Sequence, residues 1–231
     1  MPLILGTNSI KDTGYNVANS LRFDGSSSTL TRTPSSETNR KTFTISSWVK
    51  FSATESMLFS VGADTNNRSY IILTSDAIVI ENRDSGTKNV LLITNRLFRD
   101  YSAWYHILLS VDTTQSTASD RVKLYVNGVQ ETSFSTETYP SQNQLWDFTK
   151  TNTHYIGRNA WSSGNFMNGY LAEFVYIDGT ALDETSFGEF DEDSPTIWKP
   201  KDVSGLTFGT NGFYLDFENS GSLGADVSGN G

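Results

Sequence analysis

Hydrophobic and polar residues alternate with a period of two along much of the chain. In the segment 43–51, phenylalanine, isoleucine and valine occupy four of the five odd-numbered positions, whereas the even-numbered positions carry Thr44, Ser46, Trp48 and Lys50. This period is that of a β-strand with one buried face. No segment of a dozen residues places apolar residues at the i, i+3, i+4 and i+7 spacing of a helix. The pattern therefore predicts an all-β fold.

Further strands are expected at short intervals along the chain. The segments 57–61, 70–74, 77–82 and 90–94 are separated by short polar loops, which favours an antiparallel meander. Asn127-Gly128 tolerates the positive φ angles of a type I′ turn, and it predicts a hairpin. The segment 169–177 is apolar on both faces, which indicates an interior strand. The remaining predicted strands are 104–111, 122–126, the return strand 129–134, and 213–217.

Several segments outside the predicted strands help to place the boundaries of three parts of the chain. Residues 135–153 hold Pro140 and several amides without a clear period, and they predict a long surface loop. Asp183 is expected to cap one helical turn over 183–187, and 191–200 has the composition of an irregular linker. We expect an N-terminal docking arm over 1–19, a β-sandwich over 20–190, and a linker with one extra strand over 191–231, leading into further sequence.

Composition narrows the classes of function. Because 13% of the residues are aromatic and only 36% are apolar, aromatic rings are the expected core material. The chain has no cysteine, so neither a disulfide nor a thiolate site can form. A formal charge of −9 without a basic run argues against a nucleic-acid partner. The sequence contains no apolar run of about 18 residues, so it predicts no segment that inserts into a membrane.

Six short motifs follow one another in a fixed order. They are SLRFDG at 20–25, FTISSWV at 43–49, WYHI at 104–107, VKLYVNG at 122–128, IGR at 156–158 and NGYLAEF at 168–174. Over residues 20–188 their order and spacing resemble the laminin-G-like group of the concanavalin A-like lectin and glucanase superfamily. The resemblance implies a two-sheet antiparallel jelly-roll sandwich. Members of this group commonly carry an acidic residue where this chain has Ala172, and that difference weakens any metal site inferred at this strand.

A second set of motifs is similar to structural proteins of tailed bacteriophages, especially marine ones. These motifs are VDTTQ at 111–115, YPSQN at 139–143, YIDGTAL at 176–182 and FGTNGFYL at 208–215. The resemblance implies a virion protein of the capsid, tail or fibre that contacts other virion proteins and copies of itself and helps the particle attach to host-surface glycans. The alternative function is a carbohydrate-binding, lectin-like module or adhesin without a virion role.

Residues suited to catalysis are few. Glu189, Asp191 and Asp193 have the spacing by which glucanases of this superfamily aim two carboxylates at a glycosidic bond. They lie in a polar, proline-containing segment, which predicts a solvated acidic loop. His106 is expected to pack or hydrogen-bond within a strand, and His154 to lie at the edge of a loop. With no Gly-x-Ser-x-Gly motif near either histidine, the sequence predicts a protein that is not an enzyme.

The sequence predicts no cofactor and no metal, with calcium as the one exception to consider. Calcium prefers oxygen ligands from loops. Asp64, Asn66 and Asn67 form one candidate cluster, and Asp112 with Asp120 forms another. Aspartate and asparagine are also ordinary turn-forming residues, so a structural role at both places remains open.

The loop 159–165 has the composition of a glycan-binding site. Sugars require an aromatic face and amide or carboxylate partners in a shallow groove. Trp161, Asn159 and Asn165 supply both within one loop, and Tyr139 and Trp146 from the preceding loop are expected to join them. The alternative is that Trp161 only fixes its own loop to the sandwich.

Overall fold

The computed structural model describes residues 15–230, so most of the predicted N-terminal arm lies outside the described residues. Within this range the chain forms sixteen strands and two short 3₁₀ turns. The strands are β1 (Leu21–Asp24), β2 (Leu30–Arg32), β3 (Thr42–Phe51), β4 (Glu55–Gly62), β5 (Arg68–Thr74), β6 (Ala77–Asp84), β7 (Thr87–Thr94), β8 (Tyr105–Asp112), β9 (Val122–Val126), β10 (Val129–Glu131), β11 (Phe134–Thr138), β12 (His154–Ile156), β13 (Asn168–Asp178), β14 (Gly188–Phe190), β15 (Trp198–Pro200) and β16 (Phe213–Leu215).

Two antiparallel sheets of seven strands each form a sandwich. The first sheet has the order β1-β13-β3-β8-β9-β10, and β16 pairs with the second half of β13. The second sheet has the order β11-β7-β6-β5-β4-β12-β2, while β14 and β15 form a separate pair. The predicted meander is confirmed as β4 to β7, and the predicted interior strand is confirmed as β13. The all-β jelly-roll prediction is therefore correct.

The main core lies between the two sheets and is rich in aromatic rings. Phe43, Phe59 and Tyr176 are fully buried there. They are joined by Trp146 and Phe148, whose ring centroids lie 5.4 and 5.6 Å from that of Phe43. The prediction of a surface loop over 135–153 is therefore wrong in two places: residues 134–138 form β11, and residues 146–149 enter the core.

The Asn-Gly hairpin is confirmed, but its return strand is shorter than predicted. Asn127 and Gly128 have φ angles of +50° and +74° and connect β9 to β10. The strand β10 ends at Glu131, and the chain then crosses to the second sheet, where β11 pairs with β7. The predicted helical turn is also present, as a 3₁₀ turn over Glu184–Ser186 with Asp183 accepting a hydrogen bond from the Thr185 N–H. Within residues 15–230, no helix is long and apolar enough to cross a bilayer.

A second apolar cluster covers the outer face of the first sheet. It joins Leu108, Tyr125 and Ile177 of the sheet to residues of the C-terminal segment, namely Phe187, Val203, Phe208 and Tyr214. This cover explains why Thr44 and Ser46, on the outer face of β3, are buried although the alternation predicts a half-buried strand; Trp48 and Lys50 further along remain partly exposed. It also corrects the expectation of an irregular linker over 191–200, because β15 lies within that segment and its Trp198 is only 9% exposed.

Candidate ligand-binding site

The outer face of the first sheet carries an apolar groove where the C-terminal cover ends. Its volume is about 310 Å³, and we call it the tryptophan groove. Trp48 and Trp104 supply aromatic surface, and Asn19 and Ser20 supply polar groups at its side. The full lining is Val17, Ala18, Asn19, Ser20, Trp48, Trp104, Ala172 and Pro200. The combination of aromatic surface and adjacent amide and hydroxyl groups is typical of a site for a small polar ligand.

Strand register explains why the groove opens at this point. Ala172, Trp48 and His106 lie opposite one another on the adjacent strands β13, β3 and β8. The methyl side chain of Ala172 leaves empty space beside the indole of Trp48. A carboxylate side chain at this position would occupy that space. Ala172, which argues against a metal site at this strand, therefore leaves room for a ligand.

Trp48 is held in place by a buried histidine. The ring centroids of Trp48 and His106 are 5.2 Å apart. Ser46 Oγ lies 2.8 Å from His106 Nε2, and Trp198 Nε1 donates a hydrogen bond to His106 Nδ1 at 3.1 Å. Because the indole N–H can only donate, the neutral imidazole carries its proton on Nε2 and donates it to Ser46. Burial lowers the pKa of His106 to about 3, so this arrangement persists at neutral pH.

Two glycines make room for the indole of Trp198, which completes this network. A Cβ atom on Gly128 would lie 2.2 Å from a ring carbon of Trp198, and one on Gly188 would lie 2.4 Å from another. The Asn127-Gly128 turn therefore has two roles, because its glycine permits both the positive φ angle and the close approach of the ring. The C-terminal segment thus fixes the ring of His106, which packs against Trp48 of the groove.

Trp104 forms the more exposed end of the groove. It is 37% exposed, and its ring centroid lies 6.5 Å from that of Tyr170. Arg22 and Lys50 lie opposite Tyr170 on the two neighbouring strands. The Arg22 guanidinium lies 5.2 Å from the Tyr170 ring centroid and donates to Asn168 Oδ1 at 2.7 Å. An aromatic and cationic row therefore borders the groove.

The chain segment along the other side of the groove is fixed by Tyr15. Its hydroxyl donates to Glu173 Oε2 at 2.8 Å, and Tyr214 donates to the same carboxylate oxygen. Glu173 lies in a β-bulge of β13 with a φ angle of +51°, and burial raises the pKa of its carboxyl. This cluster places the backbone that leads to Val17 beside the sheet.

The Trp161 loop lies on the other side of the molecule, over the outer face of the second sheet. The Arg68 guanidinium lies 4.4 Å from the Trp161 ring centroid, and the Tyr70 ring centroid lies 5.4 Å away. Trp161 also packs against a small apolar cluster, which consists of Met57, Ile72 and Val79. These contacts favour the structural alternative, in which Trp161 fixes its own loop.

The two asparagines of this loop bond to the loop itself. Asn159 is 2% exposed. Its Nδ2 donates to Asn165 Oδ1 at 3.0 Å, and its Oδ1 accepts from the backbone N–H of Ser162 at 2.9 Å. Asn165 is exposed and has a φ angle of +50°. The amide of Asn159 is therefore committed to loop structure, whereas Asn165 retains an exposed surface.

Tyr139 and Trp146 do not join the Trp161 loop. Both pack with the core between the sheets, whereas Trp161 packs on the outer face of the second sheet. Trp146 is fully buried, so the expectation that it contacts a glycan is wrong. Tyr139 is half-buried, and burial together with the Glu137 carboxylate raises the pKa of its hydroxyl to about 12.

The candidate calcium loop forms a turn closed by its own hydrogen bonds. Asp64 Oδ1 accepts from the backbone N–H groups of Asn66 at 2.7 Å and Asn67 at 2.9 Å. These bonds lower the pKa of Asp64, and Asn67 Oδ1 accepts from the Ser85 N–H at 3.0 Å. Similarly, Asp112 accepts from Thr114 and Gln115. No group of three or more His, Cys, Asp or Glu suited to a metal occurs among residues 15–230.

Two of the three spaced carboxylates, those of Glu189 and Asp191, converge on one lysine side chain. Glu189 lies in β14, whereas Asp191 follows it and accepts from the backbone N–H groups of Asp193 and Ser194. Lys199 Nζ lies 3.5 Å from Glu189 Oε1 and 3.4 Å from Asp191 Oδ2. The geometry fits the solvated acidic loop that the sequence predicts. Both carboxylates are therefore paired with the same lysine, and Asp191 also closes its own turn.

Sequence reasoning missed both tryptophans of the groove. Trp48 falls on the polar side of its strand, and a large aromatic ring among Thr44, Ser46 and Lys50 was a signal of a covered or ligand-facing position. Trp104 is the first residue of the motif at 104–107, where the sequence predicts only the start of a strand. The partners that create the groove, Ala172 and Pro200, are remote in sequence and gave no local signal.

Comparison with known proteins places the sequence in a family. Residues 24–186 match the model of the Laminin_G_3 family, described as the concanavalin A-like lectin/glucanases superfamily. No curated protein sequence is significantly similar to the chain. A heptameric SAP-like pentraxin from Limulus polyphemus is similar in structure, with 16% identity, a TM-score of 0.51, and coverage of 73% of this chain and 79% of the pentraxin chain.

Domains LG4-5 of the mouse laminin alpha1 chain are also similar, with 14% identity and a TM-score of 0.50. The match covers 73% of this chain but only 44% of the laminin chain. At these identities the likeness concerns the fold, whereas the family model matches well over half of the sequence. The chain belongs to the Laminin_G_3 family of the concanavalin A-like lectin and glucanase superfamily.

Proposed function

We propose that this chain is a non-catalytic carbohydrate-binding domain displayed on the surface of a virion, and that the tryptophan groove holds the sugar. The observation that carries the binding role is the pairing of Trp48 and Trp104 along one groove with Asn19 and Ser20 at its side. Membership of a superfamily whose description names lectins and glucanases, both of which bind sugars, supports the same class of ligand.

The chemistry of the groove suits a sugar ring. The CH groups of a pyranose pack on an indole face, while its hydroxyls require amide and hydroxyl partners. Trp48 packs beside the buried His106 on the neighbouring strand, so little conformational entropy is lost there on binding. The groove is open at the surface, which suits an extended chain of sugars better than an enclosed small molecule.

The proposed absence of catalysis rests on the acidic residues. A glycosidase needs two carboxyl groups about 5 to 9 Å apart across the sugar. No carboxylate is among the residues that line the groove. We therefore expect no release of reducing sugar from polysaccharide, and none that depends on Glu189.

Binding is tested on a glycan array with matched tryptophan variants. We expect Trp104→Ala to weaken retention of the bound glycan by at least about tenfold, because aromatic stacking and apolar contact are lost. Trp161→Ala is the control on the opposite face, and we expect it to bind as the unchanged protein does. Loss of binding in Trp161→Ala, with binding retained in Trp104→Ala, would refute the groove and restore the Trp161 loop as the site.

The virion setting is a separate part of the proposal. It is supported by the motifs at 111–115, 139–143, 176–182 and 208–215 that resemble tailed-phage structural proteins. We expect the chain to contact other virion proteins and copies of itself, and to present the groove towards the host. Quantitative mass spectrometry of purified particles should find it at a fixed copy number; its absence would leave a glycan-binding module without a virion role.

A further inference from the structure

A second cavity opens between the two sheets at one edge of the sandwich. Its volume is about 290 Å³, and we call it the edge cavity. It lies between β2 and β12 of the second sheet and β16 of the first, and residues 224–226 lie across it. The lining consists of Leu30, Thr31, Arg32, Phe59, His154, Ile156, Phe213, Leu215, Gly224 and Asp226.

The wall of the edge cavity is largely apolar. Phe59, Ile156, Phe213 and Leu215 are buried side chains that also belong to the main core. His154 forms part of the wall; its ring has a polar contact with the Lys150 backbone, and neither ring nitrogen makes a hydrogen bond of normal geometry among the described residues. Burial, followed by the charge of Arg32, lowers the pKa of His154 to about 4, so its ring is neutral at pH 7.

The charged groups of the edge cavity neutralise each other. Arg32 Nη1 lies 2.8 Å from Asp226 Oδ2 and also donates to the backbone oxygen of Gly212 at 3.3 Å. Asp226 Oδ1 accepts from the backbone N–H groups of Tyr214 and Ser228. The ion pair therefore joins the edge strand β2 to the C-terminal segment, and neither charge is left over for a ligand.

We propose that the edge cavity binds a small neutral ligand with an apolar body of about two fused rings and one hydroxyl-type polar group. The apolar wall favours the body, and the Arg32–Asp226 pair at the polar side offers both a donor and an acceptor. A cavity of about 150 Å³ accommodates benzene, so about 290 Å³ suits roughly twice that size. A charged head group would be desolvated without a free counter-ion, which is unfavourable. This site is independent of the tryptophan groove.

The charge requirement is tested with three probes that share one apolar body. Calorimetric titration of the full chain with 2-naphthalenemethanol, 2-naphthoate and 2-naphthylmethylammonium should show the neutral probe binding at least about tenfold more tightly than either ion. In Asp226→Asn the Oδ1 acceptor remains while Arg32 loses its counter-ion. We expect the preference to move towards 2-naphthoate by at least about tenfold in that variant.

The location is tested by filling the cavity from its edge. Leu30 is half-buried on the edge strand, so Leu30→Trp can fill the space without removing a core residue; we expect at least about tenfold weaker binding of 2-naphthalenemethanol. The exposed Leu97, changed to tryptophan, is the matched control and should bind normally. Binding of none of the three probes, tighter binding of an ion by the unchanged protein, or normal binding in Leu30→Trp would each overturn the inference.

Discussion

The outer faces of the two sheets differ in which segments of the chain cover them. On the first sheet, the C-terminal segment adds a second apolar cluster, inserts Trp198 beside His106 and leaves one groove where it ends. On the second sheet, the outer apolar cluster is small, and the Trp161 loop packs over it beside Arg68 and Tyr70. The same sandwich therefore presents a supported groove on one side and a shallow, self-contained loop contact on the other.

This difference shows that an aromatic residue in a polar loop is a weak indicator of a binding site. The faces of Trp161 are occupied by neighbours from its own domain, whereas Trp104 keeps more than a third of its surface exposed. The support behind the groove comes from His106 and Trp198, which are buried and make no direct contact with its opening. We therefore expect substitutions on the first face to lower stability or binding, depending on whether the buried support or the exposed indole is removed. Loss of Trp161 on the second face should have little effect on either.

The largest expected effect is on the C-terminal cover. Trp198→Ala should lower the free energy of unfolding by about 3 to 5 kcal/mol, because a buried indole is lost and a cavity remains. Trp161→Ala should lower it by only about 1 kcal/mol, because the ring is partly buried on an outer face, where water can occupy the space that it leaves. Urea denaturation of both variants provides the measurement. Equal losses in the two variants would remove the distinction between the faces.

The two buried histidines should respond differently to the same substitution. His106→Phe leaves Ser46 Oγ and Trp198 Nε1 buried without partners, and we expect a loss of about 2 to 4 kcal/mol. His154→Phe removes only a polar contact with the Lys150 backbone that lacks normal hydrogen-bond geometry, so the stability of the variant should stay within about 1 kcal/mol of the unchanged protein. Denaturation midpoints at pH 7.5 distinguish these results. A large loss in His154→Phe would contradict our description of its surroundings.

Mild acid should destabilise the protein through these histidines. Their folded-state pKa values, about 3 for His106 and about 4 for His154, lie below the ordinary value, so the unfolded chain binds more protons as the pH falls below about 6.5. Each should cost about 1.4 kcal/mol at pH 5.5 relative to pH 7.5. Glu173, whose pKa is raised, acts in the opposite sense.

The histidine contribution is isolated by comparing His154→Phe with the unchanged protein across this pH range. The loss between pH 7.5 and pH 5.5 should be smaller in the variant by about 1.4 kcal/mol. Thermal unfolding at fixed ionic strength provides the curves. Parallel curves for the two proteins would show that His154 does not carry the expected proton linkage.

The smallest effect is expected from calcium. Asp64 already accepts bonds from its own turn, so millimolar calcium or its removal by a chelator should change the melting temperature by no more than about 1 °C. Asp64→Ala should lower the free energy of unfolding by a few tenths to about 1 kcal/mol, and the melting temperature of the variant should also not respond to calcium. A calcium-dependent rise of several degrees that disappears in Asp64→Ala would establish a metal site there.

Local periodicity was sufficient to predict the positions of most strands but not the remote residues that pack against them. The alternation of β3 and the Asn127-Gly128 turn depend on neighbouring residues, so both could be predicted. Trp146 enters the core from a stretch rich in amides, where its apolar partners come from remote strands. The burial of Thr44 and Ser46 on the outer face of β3 depends on a C-terminal segment more than 130 residues away, which no local pattern records.

The site was missed for the same reason. The groove requires Trp48 on β3, Ala172 on β13 and Trp104 directly before β8, which meet through sheet register and the docked C-terminal chain. Trp161, by contrast, had its polar neighbours within one loop, and the compactness of that pattern in sequence made it appear the better site. Proximity in sequence here reflects hydrogen bonding within the loop, as the Asn159 contacts demonstrate.

The five indole N–H groups offer the most direct test of the groove, because two belong to its lining, at Trp48 and Trp104, and the other three lie in other parts of the domain. A glycan that the array identifies is titrated while these five resonances are recorded by nuclear magnetic resonance. We predict that the signals of Trp104 and Trp48 move with a common saturation curve, while those of Trp146 and Trp161 stay in place. Movement of Trp161 with no change at Trp104 and Trp48 would contradict the account.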